Sequence, residues 1–442
     1  MQTFPRVLFV TPLAFNPFTG GGATFTSLFT GWPKDCLATI HNDINPTPND
    51  VCENYYALRT DELDFIEPFG SLRRRMRPTQ ASGPNLSPSS SNLPSAPWPR
   101  LSWLDAVRKN FLGDSIPERS QLTPELHQWI SEYRPQVIYT ILGSNGMMSL
   151  VEKIRSTFHL PLVVHIMDDW SAAWHRRGIF APIERFRMNG WLKHFFTVAD
   201  NCLGISPAMC ETYTKRYHRP FTAFQYTLDV DRWTTLAKRD LDSAQPPEFL
   251  YIGSIFPDAQ LQSLIDCAQA VSELNQEGYH CKLRIVTTAI NITRYRHLLE
   301  LHSTITMSIS EADEPTFFHM LAGADVLLLP VNFDTHSVNF IRYSMPTKVP
   351  SYLVSGTPCL VYGSRETAQV RYALDYGWGH VITQRSVPAL KASLRCIAND
   401  LPVRRRLSEA AHKAAINHDV KRVRPAFHNV LHEAAAKLGG PA

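Results

Sequence analysis

The stretch Ala324–Gly363 reads ADVLLLPVNFDTHSVNFIRYSMPTKVPSYLVSGTPCLVYG. Val326–Pro330 is an apolar run of strand length, and Cys359–Tyr362 is another. Between them Ser344 and Pro346 stand where a helix would start, and Gly356 stands where it would stop. Strand, helix and strand in so short a span predict a βαβ unit, whose strands run parallel through a right-handed crossover.

Moving outward, the same alternation recurs. Phe249–Ile252 and Lys282–Thr287 precede the quoted stretch, and His380–Ile382 follows it. Nearer the N-terminus stand Val7–Val10, Cys36–Ile40, Val137–Ile141, Leu162–Met167 and Cys202–Ile205. The expectation is an α/β chain with two Rossmann-like, doubly wound domains facing across a cleft, one over 1–228 and the other over 248–422. The polar segment 229–247, which closes on two prolines, is expected to link them. In 423–442, Val423, Phe427, Val430, Leu431, Ala434 and Leu438 recur at helical spacing, which predicts an amphipathic terminal helix.

The chain has 442 residues, enough for two or three domains, with 44% hydrophobic and 19% charged residues, which excludes wholesale disorder. Forty-four basic against 40 acidic residues leave a net charge of +4, too little for a dedicated nucleic-acid binder. No apolar run approaches the roughly 18 residues of a membrane span, and the opening MQTFPRVLFVTP lacks the build of a signal peptide. A cytoplasmic location is therefore expected. The eight cysteines show no C-x-x-C spacing, so neither a disulfide framework nor a zinc site is suggested. Residues 71–100 hold six prolines, seven serines, five arginines and no acid, and are expected to be a disordered insertion. Within them, Arg73–Arg77 suit peripheral contact with an anionic inner membrane face, at about 1 kcal/mol per basic residue; a solvated basic loop is the alternative.

Several constellations carry chemistry. Gly20, Gly21 and Gly22 lie between the first strand and a helical stretch, where they would let a ligand approach the backbone; a plain turn is the other reading. Asp168 and Asp169 close the strand Leu162–Met167, at the end of a parallel strand where ligands sit; either is a candidate base or sugar-orienting group, or else a helix cap. His165, inside the strand, reads as core. Arg342 and Lys348, with the helix amides near Pro346, form a candidate diphosphate site, the guanidinium fork gripping oxygens and the ammonium adding a point charge. A purely structural arginine and lysine remain the alternative. The strings Asp229-Val-Asp231 and Asp240-Leu-Asp242 fall in the polar segment and are rejected as metal ligands, and the acidic run Glu311–Pro315 reads as a helix start.

With these residues in view, the chain resembles the GT-B glycosyltransferases, in particular the family-4-like enzymes of polysaccharide biosynthesis. The resemblance rests on VLFVTP with GGGA, LVVHIMDDW, NCLGISPAMCETYTKRYH, FLYIGSI and above all ADVLLLPV with RYSMPTKVPSYLVSGTPCLVYG. It implies a nucleotide-diphosphate sugar held mainly by the second domain, at Gly253, Ser254, Ser344, Thr347 and Ser351, and a saccharide or lipid-linked acceptor held mainly by the first, near Gly21 and Gly22. It implies that Arg342 and Lys348 neutralise the leaving diphosphate without a metal or other cofactor, that hexosyl transfer retains configuration, and that the terminal helix crosses back to the first domain. The sequence departs from the family where Ser351 and Tyr343 replace paired glutamates, and where Phe256, Pro257 and Asp258 replace phosphate-binding basic residues. Two other readings compete: a nucleotide-sugar epimerase of the same fold, and a catalytically silent nucleotide-sugar-binding or partner protein.

Overall fold

Strands β1 (Val7–Val10) and β14 (Val326–Pro330) are buried at every position. Continuous burial of continuous apolar sequence is what a parallel sheet covered on both faces demands. The structure is a computed structural model that describes residues 4–16, 19–43, 50–71, 83–84, 113, 115–170, 178–242, 246–309 and 314–438. The insertion expected over 71–100, with Arg73–Arg77, lies outside the described residues except for Ser71 and Gly83–Pro84. The chain divides into two units, Met1–Phe224 with Arg424–Ala442, and Gln225–Val423.

In the first unit the sheet runs in the order β10 (Phe221–Ala223), β9 (Asn201–Gly204), β8 (Leu162–Ile166), β7 (Val137–Thr140), β1, β2 (Leu37–His41) and β3 (Asn54–Ala57), all parallel. The pair β5 (Gly83–Pro84) adds antiparallel to β3, while β4 (Leu63–Phe65) and β6 (Glu118–Ser120) pair separately. The sheet grows from β1 to both sides, so its switch point lies between β1 and β7. Residues from Arg424 onward on the helix Val420–Ala435 belong here. Phe427 meets Phe29 at 5.0 Å and Tyr139 at 5.6 Å, and the Arg424 guanidinium donates to the Ser27 carbonyl.

The second unit has the order β13 (Ile305–Ile309), β12 (Lys282–Thr287), β11 (Glu248–Ile252), β14, β15 (Cys359–Tyr362) and β16 (Gly379–Ile382), again all parallel, with its switch point between β11 and β14. Asn332, just beyond β14, secures that point. Its amide nitrogen donates to the Pro257 carbonyl at 2.7 Å and to Ser337 Oγ, its oxygen accepts from the Ser263 amide, and its own backbone N–H bonds Ala259. One asparagine thus fixes the segment after β11 against the segment after β14.

Residues 229–242 of the expected linker carry structure of their own. Asp229 caps the helix Val230–Thr234, accepting from the Arg232 amide at 3.0 Å, and Trp233 stacks on Phe318 with ring centroids 4.0 Å apart. Burying that indole anchors a stretch whose composition is otherwise polar. Farther along, the Leu241 carbonyl accepts from the buried Arg404 guanidinium, which also meets Asp325 at 3.5 Å. Asp325 in turn accepts the Glu248 amide at 2.9 Å. Asp325 also has the Lys238 ammonium at 3.9 Å, so Arg404→Ala removes one of two cations beside it and is expected to cost about 1–3 kcal/mol in denaturant unfolding; a loss within error of zero would show that the Arg404 contact adds nothing.

Candidate active site

The loop that leaves β11 turns at Gly253, whose φ of +130° suits glycine and strains any other residue. Its N–H continues the strand ladder to the Val286 carbonyl. A second reason excludes a side chain: a Cβ there would lie 2.8 Å from Lys348 Nζ. The same ammonium sits 4.2 Å from the centroid of the Tyr251 ring. Tyr251 is itself fully buried and donates its hydroxyl to the Ser254 carbonyl at 2.7 Å, which closes the turn.

Lys348 is the first residue of the helix Lys348–Ser355. The helix begins later than the sequence implied. Ser344 does not cap it; the Ser344 amide instead bonds the Ile341 carbonyl, and Thr347 takes the capping position in αR geometry without a side-chain cap. The physical cause is the separate helix Thr335–Ile341, capped by Asp334, which uses the preceding residues. Gly356 ends the later helix with a φ of +66°, as its stop signal requires.

The surroundings of Lys348 determine its chemistry. Burial pushes its pKa down to about 7, and no carboxylate pairs with it among the described residues. A cation–π contact offsets part of the desolvation but supplies no counter-charge. Nearby polar groups are equally uncommitted: the hydroxyls of Ser254, Thr347 and Ser351 bond no described residue, although Ser351 is only 6% exposed. Gly253, Ser254, Thr347, Lys348 and Ser351 therefore come from two elements that the lysine joins, with donors left over.

Arg342 stands apart from that group. It is the C-cap of Thr335–Ile341, where its guanidinium meets Glu366 at 2.8 Å and Asn339 at 2.9 Å. As found, the fork that was expected to grip phosphate grips a carboxylate. Phe256 is exposed and Asp258 lies 3.7 Å from His336, so the turn beyond β11 carries an acid–imidazole contact where the resembling family has basic residues.

In the first unit, the paired acids at the end of β8 separate. Asp169 is buried, and its Oδ1 accepts from Tyr213 Oη at 2.8 Å and from Arg216 at 3.2 Å. The carboxylate thus ties the strand end to the helix Pro207–Tyr217. Asp168 is half-buried at the same carboxyl edge. His165 is fully buried, bonded to Tyr139 Oη at 2.7 Å, with burial lowering its pKa to about 4, so it is a neutral core residue.

Gly20–Gly22 also differ from expectation. They are the first turn of the helix Gly20–Phe29, and Thr19 caps it by accepting from the Gly22 N–H. A Cβ on Gly22 would meet the buried Asn16 amide at 2.3 Å. Close packing against Asn16 explains that glycine, whereas Gly21 has room for a Cβ. Asn16, Tyr251 and Asn332 do not stand out in the sequence as site residues; Tyr251 carries one visible signal, its place two residues before the turn glycine.

Among the described residues, no group of three or more His, Cys, Asp or Glu side chains could hold a metal ion, and no helix is long and apolar enough to cross a membrane. No family model matches the chain, and no curated protein matches it in sequence. Solved structures do match. The sucrose-phosphate synthase of Thermosynechococcus elongatus aligns over 98% of this chain and 99% of its own at TM-score 0.61 and 11% identity. WaaG, a glycosyltransferase of lipopolysaccharide biosynthesis, aligns over 98% and 100% at 0.57 and 13%. Anabaena HepE, solved with UDP, aligns over 97% and 100% at 0.54 and 10%. The chain shares the fold of these proteins, the GT-B fold, across nearly its whole length.

Asp169→Ala is expected to lower unfolding stability by about 1–3 kcal/mol, because the buried Tyr213 hydroxyl loses its acceptor. Chemical denaturation measures the loss, and an Asp169→Ala protein as stable as the parent would contradict this structural role.

Proposed function

We propose that the protein is a glycosyltransferase that moves a sugar from a nucleotide-diphosphate sugar, held by the second unit, to a saccharide or lipid-linked saccharide acceptor held by the first. The observation that carries this reading is the Lys348 ammonium at the Gly253 turn, next to the switch point between β11 and β14 and unpaired among the described residues. A buried amine without an anion calls for one, and the uncommitted hydroxyls of Ser254, Thr347 and Ser351 suit phosphate or sugar oxygens. The fold likeness to glycosyltransferases supports the choice of a nucleotide sugar.

In the reaction the bond between the anomeric carbon and the diphosphate oxygen breaks, and the diphosphate leaves with the electron pair. The acceptor hydroxyl oxygen bonds that carbon and gives up its proton. Lys348 stabilises the charge that develops on the leaving oxygens, which is the main demand of such a step. Arg342 would join it by exchanging Glu366 for the diphosphate. An ion pair as exposed as this is worth about 1 kcal/mol or less, so the exchange meets little resistance. For inversion Asp168 takes the proton; for retention the departing phosphate oxygen takes it and Asp168 orients sugar.

A second reading, a nucleotide-sugar-binding protein without turnover, is favoured by two observations: the Arg342–Glu366 pair, and an uncharged Ser351 on the helix turn where the resembling family has a glutamate.

A thermal-shift panel of UDP-, GDP-, TDP- and CDP-sugars tests the site. A ligand at 100 times its Kd adds about 2.7 kcal/mol of stability, and Lys348→Met should abolish most of the shift. Affinity should also fall as pH rises above about 7, by up to about tenfold per pH unit, because the free amine loses its proton there while the bound amine keeps it. A null panel, or a shift that Lys348→Met leaves intact, would contradict the donor site. Binding without turnover on any acceptor would select the second reading.

A further inference from the structure

Two tyrosines define where the Lys348 ammonium sits. Tyr251, on β11, is fully buried, and the centroid of its ring lies 4.2 Å from that ammonium. Tyr352 stands one helical turn after Lys348 and is also buried. Its hydroxyl accepts from the Ile252 amide and donates to the Leu328 carbonyl, both at 3.4 Å, which ties the lysine's helix to β11 and β14 on either side of the switch point. A third titratable group, the Cys359 thiol, comes from β15. Burial pushes all three groups up, so they are uncharged at neutral pH and none balances the ammonium. Charges on the other elements packed here are turned elsewhere. Glu248, at the start of β11, pairs with Arg284 at 2.9 Å, and Asp231 pairs with Lys421. Glu314 acts on Tyr226, and His412 reaches the far end of the helix at Gly356.

The face of an aromatic ring is the negative part of its quadrupole, and it stabilises a cation most where water is scarce. Here the ring is held from both ends: β11 fixes its backbone, and its hydroxyl is donated to the Ser254 carbonyl at 2.7 Å. Ring, ammonium and turn also share one space, since a Cβ on Gly253 would stand 2.8 Å from Lys348 Nζ and 4.0 Å from Tyr251 Oη. We propose that Tyr251 is a positioning residue for donor binding: its ring keeps the Lys348 amine protonated at the Gly253 turn and so sets the highest pH at which the site holds a diphosphate. With the ring's attraction weakened, desolvation would remove the proton at lower pH. The hydroxyl has a separate part, which is to close the turn. The consequence for donor binding rests on the reading of Lys348 as the diphosphate-binding group, whereas the coupling of ring to amine does not.

The test titrates Lys348 in the full chain without ligand, by NMR of isotope-labelled lysine side chains, with the Lys348 signal assigned by its loss in Lys348→Met. The parent should show a midpoint of about 7. Tyr251→Phe keeps the ring and should titrate as the parent does. Fluorines added to the ring of that variant draw electron density from its face at nearly constant shape. Successive fluorines should therefore lower the midpoint stepwise, by about one pH unit over the series. A ring that merely fills space would give no such order. Melting temperatures close to that of Tyr251→Phe check the fold. A midpoint that stays constant or rises along the series overturns the proposal. Affinity for UDP-, GDP-, TDP- and CDP-glucose, measured against pH, tests the consequence: the pH at which affinity falls should follow the midpoint. Binding that needs Lys348 but keeps one pH curve along the series overturns the role of Tyr251 and leaves the donor site standing. No binding, or binding that Lys348→Met leaves intact, overturns the donor reading, and with it the role assigned to Tyr251, whatever the midpoint does.

Discussion

An ammonium group stands against an aromatic face and a glycine turn, unmatched by any carboxylate among the described residues, and the proposed chemistry depends on it. Burial alone would drive Lys348 to shed its proton, and its pKa of about 7 shows how nearly balanced that tendency is. The rest of the second unit fixes the amine in place. Tyr251 supplies the ring and closes the turn through the Ser254 carbonyl. Gly253 supplies the φ and the missing Cβ, and Asn332 fixes the following segment against β14. An anion arriving there would meet an amine already in place and undo the desolvation that burial imposed.

The first unit shows how neighbouring acids with the same sequence signal divide. The helix Pro207–Tyr217 supplies Tyr213 and Arg216 to Asp169, so that carboxylate holds the strand end. Asp168 keeps more of its surface and stays at the carboxyl edge. In the second unit the division falls between cations. Arg342 has Glu366 and Lys348 has no acid among the described residues, so the lysine carries the standing electrostatic demand and the arginine would enter only by exchange.

The sheets were largely legible because their strands are buried on both faces. β1, β12, β14 and β15 begin and end where their sequence runs do. The unread strands are those where tertiary context decides. β13 is an edge strand that exposes Thr306, Ser308 and Ile309, and β10 has three residues. At the site, Lys348 was singled out from its helix-start position after a strand, and Gly253 entered only through the resemblance. The partners of Asp169, 44 and 47 residues away, were not legible, nor was the carboxylate beside Arg342, because each comes from a different element. For the glycine triplet, the sequence shows glycine before a helix but not that Asn16 packs where a Cβ of Gly22 would stand.

Proton uptake on binding tests the central claim most directly. A sugar-linked diphosphate has no group that titrates near neutrality, so titration calorimetry of the protein with a nucleotide sugar at slightly alkaline pH, in two buffers of different ionisation heat, reports Lys348. The account predicts uptake approaching one proton per ligand, lost in Lys348→Met. Binding with no proton uptake, or uptake that survives the substitution, would contradict it.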